Sequence, residues 1–211
     1  MNYNIISTGS HGNAVVLNDY ILIDCGISFK ALKKVYKDLK IVLLTHEHGD
    51  HFNKTTIKQL AKERATLRFG CCEWLVPLLI ECNVPKQNID VFEVGKIYDY
   101  KAFKVSPIKL YHDVLNCGFR LYFGDKKVLY ATDTEHLNGI VAKDYDLYLI
   151  EANYENDELQ ERIRTKQESG QYCYEINVVN RHLSKEQTDE FLLDNMGKHS
   201  EYVYLHGHID K

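Results

Sequence analysis

The sequence of 211 residues predicts a mixed α/β domain of the αββα class, in which two mixed β-sheets are flanked by helices. Two observations predict this class. Apolar runs of strand length recur along the whole chain, and segments with helical periodicity occur singly between them. The sequence contains no linker, low-complexity tract or short repeat, so we expect residues 1–211 to form a single domain.

The first half of the chain has five predicted strands and three predicted helices. Phe29, Leu32 and Tyr36 recur at helical spacing. Asn53 is a suitable N-cap, and Pro77 either kinks the third helix or marks its first turn. In chain order, the elements are strands near 2–7, 14–18 and 20–24, a helix near 27–37, a strand at 41–44, a helix at 54–63, a strand at 65–69 and a helix around 73–81.

The second half has more strands than helices. A turn is indicated at Gly124, and Ser184 with Gln187 forms a capping-box signature that begins a helix. Residues 155–171 are the least regular segment, and we expect an exposed helix or loop there. The remaining predicted elements are antiparallel strands within 89–110 and 117–132, strands at 147–151 and 202–205, and a helix from 185 to about 196.

The composition is typical of a globular intracellular protein. Hydrophobic residues make up 45% and aromatic residues 11% of the chain, which excludes a disordered polar chain. The first residues lack a basic and apolar leader, and no stretch approaches the about 18 apolar residues of a membrane helix. The six cysteines show no Cys-x-x-Cys spacing. We therefore expect a cytoplasmic protein with no membrane partner.

The most informative stretch is a cluster of three histidines and an aspartate directly after the apolar run 41–44. Imidazole and carboxylate groups are frequent ligands of zinc. His46 and His48 point to the same side of an extended stretch, and Gly49 lets the chain turn so that Asp50 and His51 face a second metal ion. Two ions about 3.5–4 Å apart hold the attacking and leaving oxygens of a hydrolysis.

Three further candidate ligands each follow a predicted strand. His112 follows the strand that ends at 111, Asp133 follows the strand that ends at 132, and His206 follows the strand at 202–205. Three such residues in a chain that already carries the histidine cluster favour a metal-binding role. His208 is an alternative to His206, but His206 follows its strand directly and is the preferred ligand.

These residues together resemble the metallo-β-lactamase superfamily, whose His-x-His-x-Asp-His motif matches residues 46–51. The resemblance implies two divalent ions, and Zn²⁺ and Mn²⁺ both suit the ligand types. It also implies that Asp133 bridges the two ions. The other implied ligands are His46, His48 and His112 for one ion, and Asp50, His51 and His206 for the other.

Segments that bind no metal are similar to the WalJ/YycJ group of this superfamily, which is related to tRNase Z and to the phosphonate-pathway cyclic phosphodiesterase. The similar segments are 7–13, 21–28, 150–154 and 180–184. The bacterial members of the group are regarded as DNA exonucleases that act from the 5′ end. His11 replaces the usual Ser of the group, and Tyr154 replaces a frequent His.

Two residues are predicted to act in catalysis. Asp50, with one carboxylate oxygen free of metal, is expected to orient the nucleophile. His182 lies in a His-Leu-Ser motif that resembles the phosphate-contacting histidine of tRNase Z relatives, and it is expected to protonate the leaving group; a structural hydrogen bond beside the helix N-cap is the alternative. The predicted substrate-binding residues are Ser10, His11, Asn13 and Asn153.

Three functions remain open at this point. The first is a metal-dependent 5′-to-3′ exonuclease on single-stranded DNA, the second a phosphodiesterase on a small cyclic or linear nucleotide, and the third a lactone, lactam or thioester hydrolase or a non-enzymatic metal protein. A second copy of the chain is a further candidate partner. The formal charge of −4 favours a small substrate. Clustered basic residues within 30–40 and 54–64 favour DNA, although a solvated outer face is their simpler interpretation.

Overall fold

A computed structural model of the chain describes residues 1–173 and 175–207. The fold contains two compact units, which we call unit 1 (Met1–Tyr98) and unit 2 (from Asp99 onwards). Within these described residues there are two six-stranded sheets, and both are mixed. No helix in the described ranges is long and apolar enough to cross a membrane.

The sheet of unit 1 follows the chain order from its first to its last strand. Its first three strands pair antiparallel, and the third to the sixth pair parallel, because connections with helical segments return the chain to the same edge. The strands are β1 (Tyr3–Ser7), β2 (Ala14–Leu17), β3 (Ile21–Ile23), β4 (Ile41–Leu44), β5 (Arg68–Cys72) and β6 (Ile89–Phe92). The helices are α1 (Phe29–Leu32), α2 (Lys54–Glu63) and α3 (Val76–Glu81).

The core of unit 1 explains why its central strands are apolar throughout. Every residue of β2, β3 and β4 is buried, as expected of strands covered on both faces. Helix α2 buries Ile57 and Leu60, and it begins at Asn53, whose side chain accepts a hydrogen bond from the backbone of Thr56 as predicted. The carboxyl end of β4 is therefore held rigidly, and residues 45–51 begin there.

The second sheet has the order β12-β11-β10-β9-β8-β7. Strands β8, β9 and β10 pair antiparallel, and β10, β11 and β12 pair parallel, so the carboxyl ends of the last three meet at one edge. The strands are β7 (Tyr98–Asp99), β8 (Lys104–Tyr111), β9 (Leu115–Phe123), β10 (Lys126–Ala131), β11 (Leu147–Glu151) and β12 (Glu201–Leu205). The helices are α4 (Asn156–Glu168), α5 (Glu175–Val179) and α6 (Lys185–Asn195).

Several predicted boundaries are confirmed in unit 2. The turn at Gly124 joins β9 to β10, with a positive φ of 62° that suits glycine. The capping box of Ser184 and Gln187 begins α6, with both reciprocal hydrogen bonds formed. The segment predicted as an exposed helix or loop is helix α4, in which only Leu159 is buried.

Other predicted boundaries in unit 1 are wrong. The helix predicted over 27–37 is a single α-helical turn, because the chain after Leu32 continues in turns whose backbone bonds include Val35 to Leu32 and Asp38 to Val35. The strand predicted at 65–69 begins three residues later, since residues 64–67 form a turn closed by a bond from Leu67 to Arg64. Strand β6 pairs parallel with β5, although 89–110 was expected to pair antiparallel.

Pro77 decides how the helix predicted around 73–81 is built. A short 3₁₀ turn, Glu73–Leu75, comes first, and α3 follows with Pro77 in its opening turn. Proline is tolerated there because the first turn of a helix does not use its backbone N–H groups. The proline therefore marks a helix start, which was one of the two predicted alternatives.

Candidate metal centre

The segment 45–51, which we call the metal loop, follows β4 and brings its four predicted ligands together. The ring centroids of His46 and His48 lie 4.9 Å apart, and those of His46 and His51 lie 4.2 Å apart. Asp50 Oδ2 lies 3.6 Å from His51 Nε2. His46 and His51 are fully buried. The sequence cluster is therefore also a spatial cluster within unit 1.

A buried carboxylate that the sequence interpretation missed holds the metal loop. Asp24 follows β3, is fully buried and has a φ of 58°, a conformation that non-glycine residues rarely adopt. Its Oδ1 accepts hydrogen bonds from the backbone N–H (3.0 Å) and hydroxyl (2.9 Å) of Thr45, and its Oδ2 lies 2.7 Å from His51 Nδ1. A carboxylate on one ring nitrogen orients the other nitrogen toward a metal. The signal in the sequence was an aspartate directly after an apolar strand.

Backbone contacts fix the second half of the metal loop. The backbone N–H of Asn13 donates to the Asp50 carbonyl (2.6 Å), and that of Cys25 donates to the His51 carbonyl (2.8 Å). A Cβ atom on Gly26 would lie 1.7 Å from the Asp50 carbonyl oxygen. Glycine at position 26 is therefore required by close backbone packing.

Gly49, in contrast to Gly26, is not required by close packing. The turn that it was expected to allow is present, since the backbone N–H groups of His51 and Phe52 both donate to the His48 carbonyl, at 2.9 and 2.7 Å. However, Gly49 is outside the positive-φ residues, and a Cβ atom on it would meet nothing within 4 Å. The turn forms as expected, but its geometry does not require glycine.

The predicted substrate residues of unit 1 differ in exposure. Ser10 and His11 are exposed, whereas Asn13 is buried. The Asn13 amide nitrogen lies 3.2 Å from the carbonyl oxygens of Gly9 and Asp50 and 2.8 Å from His51 Nε2. The side chain of Asn13 therefore positions the metal loop, a role that its assignment to substrate binding did not include.

In unit 2, the carboxyl edge of the parallel strands gathers a second group of ligand-type side chains. The carboxylate Asp133 Oδ1 lies 3.4 Å from His206 Nε2 and 3.5 Å from His182 Nδ1. The rings of His182 and His206 stack with centroids 5.2 Å apart. Asp133, Glu151, His182 and His206 each offer one ligand atom, and these atoms lie within 4.8 Å of one another.

Glu151, at the end of β11, is the second residue to which the sequence interpretation gave no role. It is fully buried, and its Oε1 lies 2.6 Å from His182 Nδ1 and 3.5 Å from His206 Nδ1. Burial raises the pKa of Glu151, but the hydrogen bonds from His182 and His206 and the charge of His182 lower it, and the pKa lies below its usual value. The signal was a charged residue closing an otherwise apolar, buried strand.

The pKa values of His112 and His182 shift in opposite directions. Burial lowers the pKa of His112, whose Nδ1 lies 3.1 Å from the Arg181 carbonyl oxygen, and this favours the neutral form that binds metals. Burial also lowers the pKa of His182, but the hydrogen bond and charge of Glu151 raise it more, so the net pKa is above its usual value. The His182 side chain is 17% exposed, more than the nearby side chains of Asp133 and His206.

Amide side chains hold the backbone at two of these ligands. Asp133 and His206 have φ values of 57° and 56°, and such strain persists where the surrounding contacts impose it. Asn116 donates to the Asp133 carbonyl (2.7 Å), and Asn153 donates to the His206 carbonyl (2.9 Å). Asn153, predicted to bind substrate, thus contacts a ligand. His208, the alternative to His206, lies outside the described residues.

The donor sets of both units fit divalent metal ions. Each set combines imidazole nitrogens with carboxylate oxygens, the ligand types that zinc and manganese accept. His51 with Asp24 forms a carboxylate–histidine pair of the kind that orients metal ligands in proteins, and Glu151 holds His182 in a similar pair. The chemistry that such donor sets support is hydrolysis assisted by a Lewis acid.

Comparison with protein families gives a match that covers most of the chain. Residues 19–210 match the model of the beta-lactamase superfamily domain. Exodeoxyribonuclease WalJ of Streptococcus pneumoniae is 27% identical over 99% of this chain and 81% of its own length. Exodeoxyribonuclease YycJ of Bacillus anthracis is 23% identical over 76% of this chain and 66% of its own length.

Solved structures share the fold at lower identity. The metallo-β-lactamase fold protein YhfI of Bacillus subtilis has a TM-score of 0.71 at 17% identity, covering 99% of this chain and 87% of its own. The short form of human tRNase Z has a TM-score of 0.70 at 18% identity, covering 98% and 93%. A diphosphatase of the PhnP family has a TM-score of 0.65 at 14% identity, covering 97% and 85%. The predicted resemblance and fold class are confirmed.

Proposed function

The chain belongs to the metallo-β-lactamase superfamily, and we propose that it is an exonuclease that releases mononucleotides from the 5′ end of single-stranded DNA. The family match and the relatives already support a metal-dependent hydrolase. The proposed exonuclease activity is supported by the alignment of 99% of the chain with a protein named exodeoxyribonuclease. The residues that such a reaction needs are present in both units.

Two divalent ions, Zn²⁺ or Mn²⁺, are the proposed cofactors. When bound, they supply Lewis acidity toward phosphoryl oxygens and lower the pKa of water toward neutrality. We assign Asp133 as the ligand shared by both ions, as the resemblance implies; it is a buried carboxylate whose Oδ1 lies 3.4 Å from Nε2 of the proposed ligand His206. The other proposed ligands are His46, His48, Asp50, His51, His112 and His206.

The remaining catalytic roles are carried by Asp50 and His182. We assign Asp50 to orient the attacking water through a carboxylate oxygen that is not used as a ligand. His182 is assigned to donate a proton to the leaving alkoxide, because Glu151 fixes its Nδ1 at 2.6 Å and favours the protonated ring. Glu151 therefore acts as a positioning residue for His182.

A basic surface of unit 1 supports DNA as the substrate. Unit 1 contains 12 Lys and Arg residues against 10 Asp and Glu residues, whereas the rest of the chain contains 14 against 20. Six exposed lysines in or beside α1 and α2 form no salt bridge within the described ranges, and such lysines are suited to phosphate contacts. They are Lys30, Lys33, Lys34, Lys37, Lys58 and Lys62.

The test is a time course on one oligonucleotide labelled at its 5′ or its 3′ end, with Mn²⁺ or Zn²⁺ supplied. We expect labelled mononucleotide to appear first from the 5′-labelled strand. We also expect KM to rise steeply with salt, since each phosphate contact releases a counterion. Release of mononucleotides from the 3′ end, or cutting within the strand, would contradict the proposal.

A second candidate is a phosphodiesterase that acts on small cyclic or linear nucleotides. The formal charge of −4 for the chain favours it, because a short substrate needs no extended basic track. Cyclic mononucleotides are therefore included in the same time course. If only these compounds are consumed, the exonuclease proposal is wrong and the small phosphodiesterase replaces it.

A further inference from the structure

Unit 2 contains a cavity of about 260 Å³ beside helices α4 and α5, which we call the helical cavity. Its apolar lining comes from Tyr154, Leu159 and Val178. Drug-sized ligands occupy pockets of about 300–1,000 Å³, so an occupant of this cavity is a smaller molecule, of the size of one nucleoside. Of the residues predicted to bind substrate, Asn153 lines this cavity.

The helical cavity lies directly beside the candidate metal ligands of the same unit. Asn153 and Gly207 line it; Asn153 lies two residues after Glu151, and Gly207 directly follows His206. The Asn153 amide lies 3.0 Å from His206 Nδ1. A group bound in the cavity is therefore separated from a candidate ligand by a single side chain.

The charges around the cavity argue against a phosphate group as its occupant. Glu155 and Glu158 line it together with Arg162 and Lys185, so cations and anions are balanced. The buried Glu175 also lines it, and its carboxylate is paired with Lys166 at 2.5 Å. A lining without net positive charge gives a dianion no net attraction, and it offers hydrogen-bond donors and acceptors to a neutral polar molecule.

The apolar lining adds a requirement for a flat hydrophobic face. The ring of Tyr154 is half-buried, and Leu159 is buried on the inner side of α4. Stacking of a base on an aromatic side chain contributes about 1–3 kcal/mol and tolerates any base. A nucleobase combines such a face with polar edges, whereas a sugar or an aliphatic acyl chain has only one of these properties.

We infer that the helical cavity binds the nucleoside at the end of the substrate, next to the bond that is cut. The assignment of the ligand as part of a nucleotide rests on the proposed function, whereas the cavity is assigned only to the base and sugar of that nucleotide. It applies to the terminal residue of a DNA strand and equally to a small nucleotide. We assign the polar edge of the base to Arg162 and Lys185, whose present partners include Glu158 (3.9 Å) and Asp189 (3.4 Å), and the face of the base to Tyr154.

The test uses deoxyadenosine, which has no phosphate, in calorimetric titrations of the full chain. Leu159→Trp fills the cavity, and Leu193→Trp is the matched control because Leu193 is 85% exposed on α6. We expect binding of deoxyadenosine to weaken by about tenfold or more in Leu159→Trp and to stay within about twofold of wild type in the control. Val178→Phe replaces Leu159→Trp if the latter does not fold.

Three outcomes decide the inference. If deoxyadenosine does not bind, or binds equally well to Leu159→Trp and Leu193→Trp, the inference is overturned. If deoxyribose 5-phosphate, which lacks a base, binds as tightly at the same site, the assignment to the base is overturned. If deoxyadenosine binds as expected but DNA and cyclic nucleotides are both left intact, the nucleoside site stands and the proposed hydrolysis fails.

Discussion

The two units present their candidate ligands in different ways. In unit 1, His46, His48, Asp50 and His51 lie within six consecutive residues, so the chain itself brings them together. In unit 2, the ligands follow separate strands between His112 and His206, and only the sheet topology brings their side chains to one edge. A contiguous ligand group can be recognised in a sequence, whereas a dispersed group depends on correct strand order.

The supporting contacts differ in the same way. In unit 1, one carboxylate, Asp24, holds both the start of the metal loop and His51. In unit 2, the support is divided between the carboxylate of Glu151 and the amides of Asn116 and Asn153. Substitutions in unit 2 are therefore expected to separate metal binding, proton transfer and positioning from one another.

The largest effect is expected from Asp133→Ala. This change removes the buried carboxylate that we assign to both ions, so bound metal and hydrolysis should be lost together. Elemental analysis of the purified variant, beside an activity assay, measures both quantities. Circular dichroism checks that the fold is retained.

A clear outcome would contradict the assignment of Asp133. If the variant keeps two ions per chain, Asp133 is not a shared ligand. The strained φ of 57° predicts a useful control, Asp133→Asn, because asparagine tolerates this conformation and keeps one oxygen donor. We expect Asp133→Asn to retain more metal than Asp133→Ala.

The next effect in size is expected from His182→Ala. Loss of a general acid lowers turnover by about 10²–10⁴-fold, and metal content should stay near wild type because His182 is not among the assigned ligands. Steady-state kinetics with elemental analysis measure the two effects. Loss of metal in His182→Ala would make His182 a ligand instead.

Glu151→Gln, which keeps the shape of the side chain but removes its charge, should lower turnover by about 10–100-fold.

The sequence predicted more of unit 1 than of unit 2 at the site. The metal loop was recognised because its ligand types and spacing are local. Glu151 was not recognised because its role depends on His182, which lies 31 residues away and reaches it only through the fold. Asn13 and Asn153 were predicted as site residues, but their contacts to His51 and His206 required coordinates.

The fold was predicted best where local rules decide it. The helix cap at Asn53 and the capping box at Ser184 depend on neighbouring residues, and both are confirmed. The start of β5 and the pairing of β6 depend on contacts between strands, and both were predicted wrongly. Hydrophobic periodicity identifies a strand, but register and direction are fixed by the partner strand.

The smallest effect is expected from Gly49→Ala in the metal loop. This substitution tests whether the glycine within the histidine motif is required by the folded structure of the loop. A methyl group at Gly49 meets nothing within 4 Å, so turnover and metal content should stay within about twofold of wild type, as is usual for a substitution that disturbs no packing. Gly26→Ala is the contrast, because its Cβ atom would lie 1.7 Å from the Asp50 carbonyl oxygen. Overpacking typically costs about 1–3 kcal/mol, and we expect at least this loss in the free energy of unfolding, measured by denaturant titration. If Gly49→Ala is the more damaging of the two, the metal loop needs a flexible glycine that its folded geometry does not require.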